Sequence, residues 1–341
     1  MSGKTPVIIP RIHEAEHTPV WQSELARAVR STEELLQLLA LDPESVKTAP
    51  RTDGFPLRVP RGFVRRMQAG NAQDPLLLQV LPVPAETATT AGYQLDPLQE
   101  TTTMPVPGLL HKYRGRALLT VTGACAIHCR YCFRRHFPYT DANPTGEQWI
   151  NAVRYLGAHT DIHELILSGG DPLSLTDGRL AQLSGQLDTI SHLHTLRIHT
   201  RTPVVLPERI DSGLLDWIAR RPQRVVMVIH CNHPNEIDDS VITAMQQLAQ
   251  AGVTLLNQSV LLKAINDDTG TLVRLSERLF AAGVLPYYLH QLDRVQGAAH
   301  FEVDDLRARK LHAGMRERLP GYLVPRLVRE EPGAPGKTLL I

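Results

Sequence analysis

Cys125, Cys129 and Cys132 stand within eight positions of this 341-residue chain, which holds four cysteines in all. Three thiolates on one tight loop can hold three irons of a [4Fe-4S] cluster and leave the fourth iron open to another ligand. An open iron makes such a cluster a reagent as well as an electron store. Structural zinc is the competing reading, with His128 or His136 as fourth ligand. Zinc sites usually pair one CxxC with a second CxxC or an HxxxH, and no second pair follows here. A disulfide framework fits poorly: the spacing is tight, Met1 to Pro6 carry no apolar secretion signal, and only Cys231 is left over. Cys231 reads as a buried free thiol.

Two further features could do chemistry. Gly169 and Gly170 close an apolar run in Ile166-Leu167-Ser168-Gly169-Gly170-Asp171-Pro172. Glycines there let the backbone approach a ligand closely, although Gly-Gly-Asp is also an ordinary turn. Lys337 lies in the glycine- and proline-rich stretch from Glu330 to Thr338, in a chain with six lysines against thirty arginines. Upstream, His111-Lys112-Tyr113-Arg114-Gly115-Arg116 gathers cations that could hold a phosphate. A lysine facing them would be helped toward its neutral, nucleophilic form, from an ordinary pKa of about 10.4. The plain alternative for Lys337 is a solvated charge.

These residues need a frame. Ala117 to Thr122 is a short apolar run leading into the cysteines. Further runs follow at 165–167, 196–198, 225–229, 253–256 and 285–289. Helical patterns such as Gly146 to His159, Ser240 to Ala251 and Leu272 to Ala282 alternate with them. Six strand–helix units in a row predict a parallel sheet. A full eight-unit barrel takes ~250 residues, so six units in about 200 predict an α/β fold, an incomplete (β/α)6 parallel barrel. Barrel chemistry sits on loops after the strands, and the cysteines follow the first strand.

The barrel is expected over residues 106–320, after a helical N-terminal extension and linker (1–105) and before a short C-terminal tail with Lys337 (321–341). In the extension, helical spacing runs from Glu24 to Leu41, with Ser31 and Glu34 placed as in a capping box. Gly62 to Met67 and Asp74 to Val80 repeat it, and residues 82–107 read as a connecting segment rich in Pro, Thr and Gly. A formal net charge of +1 gives no global field for nucleic acid or an anionic membrane. No apolar run approaches the ~20 residues of a membrane helix. A cytoplasmic protein is the expectation, and reduced cysteines agree with it.

The run CxxxCx(aromatic)C, with Tyr131 as the aromatic, resembles the signature of the radical S-adenosylmethionine enzymes. In those enzymes the segment matching Gly169-Gly170-Asp171 contacts the methionine part of the cofactor. From about residue 55 onward the chain is similar to the lysine 2,3-aminomutase family. The likeness is carried by PGLLHKYRGRALL, CRYCFRRHF, LSGGDPL, HTRTPVVLPERI, HCNHPNEI, LLNQSVLLKAIND, LPYYLHQLD, GAAHF and PGAPGK. Within the family, PGLLHKYR, CRYCFRRHFPY, PYYLHQLDRVQGAAHF and GYLVPRLVRE resemble the branch that makes β-lysine to modify translation elongation factor P.

The resemblance implies three cofactors: a [4Fe-4S] cluster on Cys125, Cys129 and Cys132, S-adenosylmethionine, and pyridoxal phosphate on Lys337. It implies Lys112 and Arg116 as phosphate contacts, Gln258 beside S-adenosylmethionine, and Arg134 on the carboxylate of the substrate, L-lysine. Asp293 and Glu330 would hold the distal ammonium, Asp293 firmly after the sixth strand and Glu330 adjustably on a terminal loop. Glu330 is one methylene longer than the aspartate usual in free-lysine mutases. The chain also stops four residues after Lys337, where those enzymes continue into a segment with further cysteines, and this second departure agrees with the elongation-factor branch. The implied activity is conversion of L-lysine to β-lysine through a 5′-deoxyadenosyl radical, with a functional link to elongation factor P and its lysine ligase. No direct nucleic-acid or membrane partner is implied, and a homo-oligomer is left open. A free-lysine mutase of metabolism and a zinc-stabilised binding protein are the alternatives.

Overall fold

The computed structural model describes residues 18–49, 55–139 and 146–340, without the side chains of residues 146–148. Nine strands form one sheet: β1 (Leu109–Tyr113), β2 (Arg116–Thr122), β3 (Glu164–Gly169), β4 (Thr195–Thr200), β5 (Arg224–Ile229), β6 (Thr254–Val260), β7 (Leu285–His290), β8 (Arg326–Arg329) and β9 (Thr338–Leu339). They lie in chain order. Strands β2 to β8 are parallel, and β1 and β9 add antiparallel edges. Helices α1 (Gly146–Ala158), α2 (Asp177–Leu187), α3 (Ser212–Ala219), α4 (Asp239–Gln250), α5 (Thr269–Ala281) and α6 (Asp305–Arg318) follow β2 to β7 in turn. The expected six units and open barrel are therefore present. Among the described residues no helix is long and apolar enough to cross a membrane.

Local chemistry explains where the helices start. The side chains of Thr176, Asp211, Asp238, Asp268 and Asp304 each accept a backbone N–H in the first turn of the helix they precede. Such caps satisfy donors that have no partner within the helix. The strands show two faces. On β4, Leu196 and Ile198 are buried in one cluster with Leu180, Leu183 and Leu214 of the helices, while Arg197 and His199 alternate with them on the inner face.

Two strand regions depart from expectation. His111 and Lys112, read as cations ahead of the first strand, lie on β1, an edge strand of its own. Only Leu109 and Leu110 are buried there, so its apolar signal is two residues long. Residues 321–341, read as a tail, contribute β8 and β9 to the sheet. Arg326-Leu327-Val328-Arg329 is short and flanked by arginines, which hides its pairing with β7.

The N-terminal extension is built from short helices; the expected run from Glu24 to Leu41 is split between Val20–Ala26 and Thr32–Leu38, with Val29 between them bridged to Val59. Ser31 caps the helix Thr32–Leu38, accepting from the Glu34 N–H at 3.2 Å. Only half of the expected capping box is recorded, since the Glu34 carboxylate pairs with Arg61. Gly62 to Met67 shrinks to the helix Arg61–Val64, and Asp74 caps Pro75–Leu78. The segment 82–107 is more than a connector. It carries 3-10 turns at Pro84–Thr87 and Glu100–Thr103, and Gln94 bonds both Arg294 and Gln296 of the loop after β7.

Candidate active site

The cysteine loop leaves the C-terminal end of β2 and is seated on the glycine pair. The N–H groups of Gly170 and Asp171 donate to the carbonyls of Thr122 (2.7 Å) and Ala124 (2.8 Å). A Cβ on Gly170 would collide with the Ala124 carbonyl, and one on Gly169, at φ +119°, with that of Thr122. The close approach that these glycines permit is thus to the loop that bears the cysteines. The carboxylate of Asp171 is spent as well. It accepts from the Thr200 hydroxyl at 2.7 Å and from the N–H groups of Leu173, Arg201 and Thr202.

All four cysteines are free, and Cys125, Cys129 and Cys132 are half-buried. Burial first, then Cys129, pushes the Cys132 thiol up to about 11; burial, then the Asp171 carboxylate and the neighbouring cysteines, pushes Cys125 upward too. Binding iron therefore displaces their protons. Among the described residues no three His, Cys, Asp or Glu side chains gather around one ion-sized point. A cluster asks for less, because each thiolate would hold its own iron; three free sulfurs on one loop fit that demand. His128 and His136, the candidate fourth zinc ligands, face the backbone carbonyls of Pro56 (2.7 Å) and Gln296 (3.2 Å). Cys231 is buried, with its thiol on the His233 carbonyl at 3.5 Å.

Arginines around the third cysteine are locked by acids from the segment 82–107. Arg130 is fully buried and meets Glu86 through two bonds, and Arg135 shares that carboxylate at 2.7 Å. Arg134 forks onto Glu100 at 2.7 and 2.9 Å and donates to the Ser168 hydroxyl (2.9 Å) and the Gly169 carbonyl (3.3 Å). Those four bonds leave one of its five N–H donors uncommitted. Glu100 also lies 3.7 Å from Lys112, so one buried acid ties together two cations expected to meet ligands. Arg116 stacks 4.5 Å from the Tyr113 ring.

The other group of candidates lies beyond β7. Lys337 pairs with one oxygen of Glu330, and the Tyr113 hydroxyl donates to the other. Since β1 and β8 lie toward opposite edges of the sheet, this bond bridges its open seam. Burial raises the Glu330 carboxyl, but the Lys337 ammonium and Tyr113 outweigh it and hold it at about 2. Asp293 behaves oppositely: burial, then the charge of Glu330, lifts it to about 7 against the pull of Lys337. No side-chain hydrogen bond reaches Asp293 among the described residues. The expectation that Asp293 is the firmly held acid is therefore reversed, because Glu330 follows β8 directly and has two partners. Lys337 Nζ lies 5.5 Å from the Tyr288 ring centre, and Lys112 is near enough to act on both Glu330 and Asp293, so a second cation is at hand for an anionic group anchored on the lysine.

Between these groups lie three histidines to which the sequence reading gave no role. His199, His230 and His290 lie at or within a residue of the C-terminal ends of parallel strands, a recurrence visible in the sequence once the strands are known. Burial, then the neighbouring charges, holds all three neutral, His230 at about 3. His230 faces Gln258 at 2.8 Å. A lumen lined by neutral rings adds no competing charge to the pairs at either end.

Residues 119–275 match the family model of the Radical SAM superfamily. The chain is 50% identical over 322 residues to an L-lysine 2,3-aminomutase of Escherichia coli (strain K12), covering 94% of each. A Haemophilus influenzae protein with the same description is 48% identical, covering 94% of this chain and 95% of its own. One from Clostridium subterminale is 34% identical, over 93% of this chain and 77% of its own.

Proposed function

The chain belongs to the L-lysine 2,3-aminomutase family of radical S-adenosylmethionine enzymes, and from that premise we infer that it is an isomerase that converts L-lysine to β-lysine. Its cofactors are a [4Fe-4S] cluster, S-adenosylmethionine and pyridoxal phosphate. When bound, they supply a 5′-deoxyadenosyl radical that takes a hydrogen from carbon 3 and a carrier on which the amine moves from carbon 2 to carbon 3.

The residue roles are our assignment. Cys125, Cys129 and Cys132 hold the cluster, and the glycine pair fixes their loop. Lys337 anchors pyridoxal phosphate, with Lys112 and Arg116 toward its phosphate, and Gln258 lies toward S-adenosylmethionine. Arg134 meets the substrate carboxylate through the donor that Glu100 leaves open. Asp293 and Glu330 take the distal ammonium. The observation that carries this reading is that an ammonium, that of Lys337, already pairs with Glu330 and acts on Asp293. Two carboxyls that together balance one lysine ammonium are suited to receive another.

The test is to incubate anaerobic, reduced enzyme with S-adenosylmethionine and each amino acid, then separate α- from β-isomers. β-Lysine from lysine, with little turnover of glutamate, is expected. Efficient glutamate turnover would sink the substrate assignment, since its distal carboxylate would face two acids.

Resemblance of PYYLHQLDRVQGAAHF and GYLVPRLVRE to the elongation-factor branch supports a finer reading: the product serves a ligase that modifies elongation factor P. We place that work in the cytoplasm, where thiols stay reduced. Mass analysis of elongation factor P from a strain lacking this gene should show the β-lysyl adduct gone. An adduct that persists would favour the free-lysine role.

A further inference from the structure

Arg201 immediately follows β4, and nothing assigned so far uses it. It is buried, and both its backbone and its side chain are fixed. The Asp171 carboxylate holds its N–H at 2.8 Å. Nη2 meets Glu236 at 3.0 Å and Gln79 at 2.7 Å. Nη1 donates at 2.7 Å to the Tyr131 hydroxyl and at 2.7 Å to Cys129 Sγ. Asn232 supports the same hydroxyl at 2.7 Å. A guanidinium held by Glu236, Gln79 and Tyr131 is thus presented to the sulfur of the middle cysteine.

We propose that Arg201 sets the reduction potential of the cluster by keeping a fixed positive charge and an N–H donor on the Cys129 sulfur. This rests on the reading that Cys129 holds the cluster. Cluster potentials follow net charge, hydrogen bonds to the sulfurs and exposure to solvent. In the relevant step the cluster passes from its 2+ to its 1+ state on taking one electron from a low-potential one-electron donor, and no proton moves. The added negative charge is stabilised by the adjacent guanidinium more than the oxidised state is, so Arg201 makes reduction easier. Arginine suits the task because its charge does not depend on pH and its planar fork serves several acceptors at once. Glu236 faces the opposite arm of the fork and fixes its direction.

The test uses anaerobically reconstituted wild type, Arg201→Gln, Arg201→Lys, Glu236→Gln and the double variant Arg201→Gln/Glu236→Gln. Iron per chain is measured together with the midpoint of the cluster, read by electron paramagnetic resonance at poised potentials with dithionite. Iron should be retained, and the midpoint of Arg201→Gln should move to more negative potential, with Arg201→Lys between it and wild type. The double variant leaves no unpaired buried charge, so it tests the same effect if Arg201→Gln folds poorly; its midpoint should lie below that of Glu236→Gln. Iron-replete Arg201 variants with the wild-type midpoint would overturn the proposal. So would folded variants that have lost iron, since Arg201 would then serve assembly alone. Wild type without iron would bring down the cysteine assignment itself, and this proposal with it.

Discussion

The two ends of the site solve the problem of buried charge in different ways. Around the cysteines, Glu86, Glu100 and Glu236 each pair with a buried arginine, and Glu86 and Glu100 come from a segment that carries no recognised motif. Around Lys337, a single ammonium serves Glu330 while Asp293 is held toward its neutral form. The first arrangement is locked, since moving any member strands a charge in the interior. The second is exchangeable, because an incoming cation can replace the one in place. On our assignment of the site, the first serves as a rigid seat for the reagent and the second as a receptor that changes partners.

Removing one member at each end tests this difference. Lys337→Ala should abolish β-lysine formation while leaving iron content intact, and should cost less stability than breaking a fully buried pair, since Lys337 keeps some contact with solvent and Tyr113 remains on Glu330. Borohydride should trap pyridoxal phosphate on Lys337 in the parent and nowhere in the variant. Glu86→Ala should cost about 3–5 kcal/mol in denaturant unfolding, because Arg130 is left buried without its anion. Equal stability losses from the two changes would erase the distinction between locked and exchangeable pairs.

A smaller effect separates the two acids. A charge-assisted hydrogen bond is worth ~1.5–3 kcal/mol, so either neutral replacement should lower kcat/KM for lysine by roughly 10- to 150-fold. Glu330→Gln should be the worse change, because it also loosens Tyr113 and Lys337. A larger loss from Asp293→Asn would return the leading role to the acid that the sequence favoured.

The smallest effect is on pH dependence. Asp293 is lifted to about 7, so kcat/KM for lysine should decline as pH falls below that value and its charge is lost. Asp293→Asn should flatten that limb. Stability shows the opposite slope. The folded chain retains a proton that the unfolded chain releases above ~3.9, so stability in the absence of ligand should fall as pH rises from there to about 7. Thermal melts of parent and Asp293→Asn across that window would show whether Asp293 carries the slope.

The comparison also explains what could be read from the chain. The six parallel strands and the cysteine loop were legible because each is local: an apolar run, a tight spacing, a glycine pair. Lys337, Asp293 and Glu330 were reachable through family likeness. Glu86 and Glu100 were invisible, since they sit in a Pro- and Thr-rich stretch and matter only through arginines 34 or more residues away. Tyr113 was hidden for the same reason, as its partner is 217 residues distant in the chain. Spacing within a motif reports neighbours along the backbone, whereas ion pairs that fix a site report neighbours in space.

The bond between Tyr113 and Glu330 has a bearing on how the molecule is born. Loop closure over so many residues is slow compared with forming one strand–helix unit, and synthesis delivers the units in order. A nascent chain with β2 to β7 already emerged would present a seated cysteine loop beside an unsealed flank. The acid, the lysine and the seal across the flank would join only once β8 had been made. On the proposed role of the cysteines, iron and sulfide could thus be taken up on the ribosome before the chain has any means of engaging an amino acid.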